Sequence, residues 1–396
     1  MASRSWQPAS SGCRVDLYLA GRANPNKLLS YGFFEPVKSL AVNNTPMDSH
    51  SPFVSVLTPF HNTQDYLAEC IESILKQTYD NWEYVLVNNC STDRSVEIAE
   101  HYVRLHPNKL RLEHNKTLVP QLQNYNGALQ LISRESKYCK IVQADDFLLP
   151  ECLRLMVQAA EQDPTIGVVG SYSLEGRYVA FDGLPYPSPF VTGTAIGRLY
   201  FLNDLYLFGS PTQLLLRSDL IRQRTPFYDE AYVPFEDAAV AFELLTQCNF
   251  GFVHQVLTFT RRDNPSMMGA IAILDYVEPF NLMMLRSFGR NYLSSVEFEE
   301  QLQNKERLYA DVLVNRAICL RGRDFWNFHR GMLKRMGYSL NSARSWRLLL
   351  SGLNTSLFSP KTAGNFQCGF RRLTGMTKRF AKKVLLPKKL TNPSRV

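Results

Sequence analysis

The chain has 396 residues, 45% of them hydrophobic and 20% charged, with a formal net charge of +8. That length allows two or three domains, and that composition supplies a large apolar core, so folding requires neither disulfides nor a structural metal. Nine basic residues and no acids fall between Arg371 and Val396. The rest of the chain is therefore close to neutral, which excludes a diffuse nucleic-acid surface.

Residues 1–50 are polar and mixed, and read as a loosely ordered lead-in with room for one short strand at VDLYLA. From Pro52 the pattern sharpens. VSVLT is a continuous apolar run suited to a strand covered on both faces. Asp65 is placed to cap the helix YLAECIESILKQ, in which Leu67, Ile71, Ile74 and Leu75 share a face. WEYVLVNN predicts a second strand. Ser91, Thr92 or Asp93 then opens the helix RSVEIAEHYVRLH. LRLEHN is a third strand, NYNGALQLIS a helix, KYCKIVQA a fourth strand, LRLMVQAAEQ a helix and IGVVGSYSL a further strand. After Ser171 the pattern loosens into the proline-rich loop GLPYPSPFVTG. GSPTQLLLRSDLI gives a strand and a turn, VPFEDAAVAFELLTQ a helix, and GFVHQVLTFTRR a strand. Residues 269–353 read as helical, and 354–396 form the basic tail.

Strands alternating with helices predict an α/β fold with a mostly parallel, Rossmann-like sheet and helices on both faces. Such sheets bind ligands beyond the carboxyl ends of their strands. The places to look are TPFHN after the first strand, NNCSTD after the second and ADD after the fourth.

The eight cysteines (13, 70, 90, 139, 152, 248, 319 and 368) form no CxxC pair, so neither a zinc knuckle nor a thioredoxin motif is expected. Cys319, inside RAICL, reads as a buried, reduced thiol, which favours the cytosol. MASRSWQPASSGC has no apolar run behind its arginine and does not read as a secretory signal. No transmembrane helix is expected, since the most apolar candidate, 269–285, is interrupted by Asp275, Glu278 and Pro279. His61, His254 and His329 lack metal-ligand spacing and read as structural. Neither GxSxG nor GxxxxGK[ST] occurs, which disfavours a nucleophile-elbow hydrolase and a P-loop NTPase.

The adjacent acids Asp145 and Asp146 end the fourth strand. One reading is a helix N-cap. The other is a site for a hard cation such as Mg²⁺ or Mn²⁺, which takes one or two carboxylates, leaves positions for phosphate oxygens and makes neighbouring like charges tolerable.

Five ordered pieces between residues 52 and 268 resemble the family 2 glycosyltransferases of the GT-A fold. They are VSVLTPFHNTQDYLAECIESILKQTYDNWEYVLVNNCSTDRS, LQNYNGALQL, VQADDFLLPECL, GSPTQLLLRSDLI with PFYDEAYVPFED, and VLTFTRRDNPSM. The resemblance implies a GT-A domain over 51–268, followed by the helical region and tail. Thr58 and Phe60 match positions that contact the nucleoside, although the family more often has tyrosine at the second. Asn88 and Asn89 stand where the family usually has aspartates. An amide both donates and accepts, which suits uracil or thymine, so UDP or dTDP is favoured over GDP. Asp93 and Asn124 fall in the same nucleotide-binding stretches. Asp145 aligns with the metal-ligating acid of an Asp-x-Asp motif whose first position is Gln143 here, with Asp146 as helper or cap. Asp237, with Glu236 as rival, aligns with the catalytic base of inverting members, and Arg261 or Arg262 with a diphosphate contact.

The implied activity is metal-dependent transfer of a sugar, with inversion, from a nucleotide diphosphate to the hydroxyl of a glycan or lipid-linked acceptor, in polysaccharide or glycolipid assembly. The alternative is a non-catalytic nucleotide-sugar or glycan-binding module on the same fold. Leu373, Met376, Phe380 and Val384 recur at helical spacing among basic residues. The tail therefore reads either as an interfacial helix on the inner face of an anionic membrane or as a solvated end.

Overall fold

A computed structural model of the chain describes residues 51–188, 190–262, 273–318 and 321–338. The N-terminal segment, the basic tail and residues 339–353 of the expected helical region lie outside these, as do Cys13, Cys319 and Cys368.

Strand β1 (Val54–Phe60) is buried at every position, as its continuous apolar run requires. It pairs in parallel with β2 (Trp82–Asn88) on one side and β4 (Tyr138–Ile141) on the other, and β2 pairs in parallel with β3 (Leu110–His114). The connections are the helices α1 (Leu67–Leu75), α2 (Ser95–Leu105) and α3 (Gln121–Leu129). The order β3-β2-β1-β4 means that the chain builds outward from β1 and then crosses back to its other edge. The crevice at that reversal, beyond the carboxyl ends of β1 and β4, is where ligands of such sheets bind.

The chain continues through β5 (Phe147–Leu148), α4 (Cys152–Ala160), β6 (Ile166–Glu175), β7 (Tyr178–Ala180) and β8 (Phe190–Val191). It then forms α5 (Gly193–Asn203), β9 (Leu215–Arg217), α6 (Ser218–Arg222), α7 (Glu236–Leu244) and β10 (Asn249–Thr260). Strand β9 lies antiparallel between β4 and β6, β6 and β10 pair in parallel, and the short β5 returns antiparallel on β10. Most paired residues lie in parallel ladders. One face of the sheet carries α1, α2 and α4, whose Leu67, Ile71, Ile74, Ala99, Met156 and Val157 form a single core with Val54 and Val56. Helix α3 packs against β1 and β2 without joining that core, so helices cover both faces.

The predicted strands and helices are found in order, with three differences. Helix α1 starts at Leu67 with no side-chain cap, so Asp65 does not cap it. Strand β4 ends at Ile141, three residues short of the expected Ala144, because the Gln143 amide turns away to a side chain on another segment. Helix α5 falls where no helix was expected, since GTAIGRLYFLN carries two glycines. Both have a packing reason. A Cβ at Gly193 would fall on the carbonyl oxygens of Leu245 and Cys248, and one at Gly197 on the Tyr292 ring. Thr192 caps the helix by accepting from the Ala195 amide at 3.3 Å.

The described residues from 51 to 262, with Asn291–Leu293, form one compact unit. The second holds α8 (Val277–Phe288), α9 (Ser295–Ile318) and α10 (Arg323–Arg335), so the described part of the C-terminal region is helical as expected. Its His329 bonds Tyr309 Oη at 2.9 Å and the Leu274 carbonyl at 2.8 Å, a structural role. Among the described residues no helix is long and apolar enough to cross a membrane. Cys70, Cys139, Cys152 and Cys248 are buried free thiols.

Candidate functional site

The carboxyl ends of β1, β2 and β4 open onto a polar surface. At the end of β1, Thr58 and Phe60 point to the same face because side chains alternate along a strand. That face is the core. Thr58 Oγ1 accepts from Tyr84 Oη at 2.8 Å, and Phe60 is 2% exposed among the residues of the α1 side. Neither side chain is presented to a nucleoside, and the β1 end offers its following loop instead. There Asn62 takes a positive φ of 51°, and its Oδ1 accepts from the Thr92 amide at 2.8 Å.

Beyond β2 the amides form a knot. Asn88 Oδ1 accepts from the Ser91 amide at 2.9 Å, and its Nδ2 lies 3.1 Å from His114 Nδ1. Asn89 Oδ1 accepts from Asn115 Nδ2 at 2.9 Å and from the Val119 amide at 3.1 Å. Asn115 Nδ2 also donates to Asn124 Oδ1 at 2.8 Å. Asp93 accepts from the amides of Gln64 and Ser95, each at 3.0 Å. Burial works against its charge, but bonds from Ser95 and Gln64 outweigh it and hold the carboxyl below the usual range. Asn89 and Asn124 thus meet through Asn115, the Asn88 amide shapes the 88–91 turn, and Asp93 is tied to Gln64 and Ser95.

Beyond β4 lies a second cluster. Asp146 is buried, with Oδ2 accepting from Thr212 Oγ1 at 2.7 Å and Oδ1 from the Arg261 amide at 3.0 Å. Burial, with the neighbouring Asp145 charge, pushes its carboxyl up to about 7 against those bonds. Asp145 is half-buried. Arg261 Nε donates to the Asp145 carbonyl at 3.0 Å, its terminal nitrogen meets Glu69, and its guanidinium lies 4.8 Å from the centre of the Tyr66 ring. Phe147 and Phe259 stack beneath, with centroids 4.4 Å apart, and hold β5 to the end of β10. Asp145, Asp146 and Arg261 therefore share one place, while Arg262 pairs with Glu175 at 2.9 Å.

Asp237 lies in the first turn of α7 and is half-buried. Burial, then the Glu236 charge, pushes its carboxyl up to about 7, and burial also raises Glu236. Two tyrosines connect it to the second cluster. Tyr125, on α3, is within electrostatic reach of Asp145. Tyr228 is within electrostatic reach of Asp237. The two rings meet edge to face at 6.4 Å. The next α3 residue, Asn126, fixes the Tyr228 backbone by bonds of 2.9 and 2.8 Å. Gln123, Asn126, Pro226, Tyr228, Asp229 and Glu230 line an open groove of ≈ 460 Å³ beside it.

Among the described residues, no three His, Cys, Asp or Glu side chains are grouped to hold a metal by themselves. The donor set suits a dication that takes most of its oxygens from a diphosphate. Asp145 is half-buried, and a cation at its carboxylate would relieve the like charge it exerts on Asp146. Thr212, Glu69, Tyr125 and Tyr228 were not picked out from the sequence. Single threonines and core aromatics carry no periodic signal, and only their partners in space mark them.

This parallel half-sheet, with an acid pair and an arginine beyond its carboxyl ends, is of the GT-A type. Residues 55–223 match the model of Glycosyl transferase family 2. Glycosyltransferase GlyG of Streptococcus pneumoniae is 34% identical over 122 residues, 31% of this chain and 40% of that protein. The putative glycosyltransferase EpsE of Bacillus subtilis is 34% identical over 120 residues, 30% of this chain and 42% of that protein. The matches thus span about two fifths of each relative's length. A crystal structure of S. aureus TarS 1-349 in complex with UDP superposes with a TM-score of 0.50 at 17% identity, covering 72% of this chain and 80% of that one. At that identity the likeness is one of fold.

Proposed function

We propose that this chain transfers a sugar, with inversion at its anomeric carbon, from a nucleoside diphosphate to an acceptor hydroxyl. The observation that supports this best is the Tyr125–Tyr228 contact. It lies between Asp145, the carboxylate suited to the diphosphate end, and the raised carboxyls of Glu236 and Asp237. In this reading Asp237 takes the proton of the acceptor hydroxyl as that oxygen attacks the anomeric carbon from the face opposite the leaving phosphate. A carboxyl raised to about 7 is suited to that step, since general bases work best with a pKa near the working pH. Asp145 would hold Mg²⁺ or Mn²⁺, and such a cation supplies charge stabilisation for the departing diphosphate. Asp146 and Arg261 fix the backbone around Asp145. The 88–93 turn and Asn124 take the nucleoside end.

UDP, the nucleotide bound to TarS, and dTDP are the donors' nucleotides in this reading. The acceptor is a glycan or a lipid-linked sugar, with the basic tail bringing the enzyme to a membrane surface. Calorimetric titration of UDP with and without Mn²⁺, followed by hydrolysis assays on UDP-sugars, tests the proposal. Metal-enhanced UDP binding, with sugar release abolished by Asp237→Asn, is expected. Metal-enhanced binding without turnover, unchanged in that variant, would instead identify a binding module.

A further inference from the structure

The turn that presents Asp145 is held by a residue from a distant segment. Thr212 lies in the 3-10 turn Pro211–Gln213 before β9 and is fully buried. Its Oγ1 lies 3.0 Å from the Gln143 amide and 2.7 Å from Asp146 Oδ2. The chemistry fixes the directions. A backbone N–H can only donate, so the hydroxyl accepts there and spends its single proton on the carboxylate. Between these two contacts the Asp146 amide donates to the Gln143 carbonyl at 2.9 Å. One hydroxyl therefore spans the 143–146 turn from end to end, with Asp145 inside the span.

The hydroxyl itself is firmly seated. Gln213, its neighbour, donates to the carbonyls of Ser171 at 2.8 Å and Leu207 at 3.0 Å, and accepts from the Gly209 amide at 2.9 Å. The remaining Asp146 oxygen accepts from the Arg261 amide. Both Asp146 oxygens thus have inward partners, whereas Asp145 remains half-exposed.

We infer that Thr212 is a positioning residue for the donor site. It sets the conformation of the 143–146 turn, and so the aim of Asp145, without touching substrate. This rests on the glycosyltransferase reading above. The test compares Thr212→Val, which keeps the shape and removes the hydroxyl, with Thr212→Ser, which restores it. Loss of a group that orients a metal ligand costs about 10–100-fold in affinity or activity. Thr212→Val should weaken UDP binding in the presence of Mn²⁺ by about that factor, raise KM for the donor more than it lowers kcat, and speed hydrogen exchange at the Gln143 amide. Thr212→Ser should return all three towards wild type. Wild-type UDP·Mn²⁺ affinity in Thr212→Val overturns the inference, as does a serine variant no better than the valine one. If the wild-type chain itself shows no metal-enhanced UDP binding, the glycosyltransferase reading has failed. The exchange rate then decides the positioning claim, and an unchanged Gln143 amide in Thr212→Val overturns it.

Discussion

Asp237→Asn should make the protein more stable while removing its activity, and the two effects should separate by pH. Burial and Glu236 raise the Asp237 carboxyl from 3.8 to about 7. At 1.36 kcal/mol per pKa unit, that shift bounds the cost of carrying the charge at about 4 kcal/mol. The side chain is only half-buried and Glu236 can share the adjustment, so about 1–2 kcal/mol is the expected net. The sign follows from linkage. The folded pKa exceeds the unfolded one, so between roughly pH 4 and pH 7 the native state holds a proton that the unfolded state has lost, and stability falls as pH rises through that window. Asparagine carries no such penalty. Its advantage should be absent near pH 4 and complete near pH 8, where it amounts to a rise of about 2–8 °C in Tm for a domain of this size. Turnover should fall by about 10²–10⁴-fold, as expected for loss of a general base. In the wild type, kcat/KM should rise with pH through about 7. Thermal melts at the two pH values, beside sugar-release assays, read both effects. An asparagine variant that melts lower near pH 8, or that keeps its turnover, would refute the reasoning.

Lys140 is fully buried in β4 with its Nζ 3.4 Å from Met156 Sδ, and burial lowers its pKa. Lys140→Met should therefore stabilise by about 1–3 kcal/mol in urea titrations near pH 7. The gain should shrink towards pH 10: the unfolded wild type binds a proton that the native state does not, so the native wild type becomes more stable as pH rises. Gly197→Ala forces the Tyr292 ring away from α5, although that ring is anchored by its hydroxyl on the Phe242 carbonyl. It should cost about 1–3 kcal/mol of stability by the same measurement. Arg261→Lys removes the fork that reaches the Asp145 carbonyl and Glu69 together. A loss of about tenfold in UDP·Mn²⁺ affinity by calorimetry, with an unchanged Tm, is expected, since lysine offers a single point charge.

The alternating half of the fold was legible because buried parallel strands read as continuous apolar runs, and VSVLT and WEYVLVN leave few other choices. The adjacent acids were expected to end the fourth strand, but they lie in the turn that follows its last residue, Ile141. What the pattern hid was carried by close approach and by long-range bonds. Helix α5 was missed because its two glycines argue against a helix locally, while the packing that demands them involves residues about 50 and 95 positions away. Thr58 and Phe60 were expected to face a nucleoside. Their pleat parity, shared with Val54 and Val56, instead sends both side chains into the core with Tyr84.

The three consecutive residues Asn124, Tyr125 and Asn126 connect the separate parts of the site. Asn124 joins the amide knot beyond β2, Tyr125 meets the Tyr228 ring edge to face and lies within electrostatic reach of Asp145, and Asn126 ties the backbone of Tyr228. On a helix, successive residues are turned by about 100°, so three in a row necessarily face three directions. Amphipathic periodicity is blind to such a fan, since no two of its members share a face. A displacement of α3 would disturb all three places together. The order of the site therefore depends on what seats that helix, and its packing on β1 and β2 makes the parallel half-sheet the common support for all three.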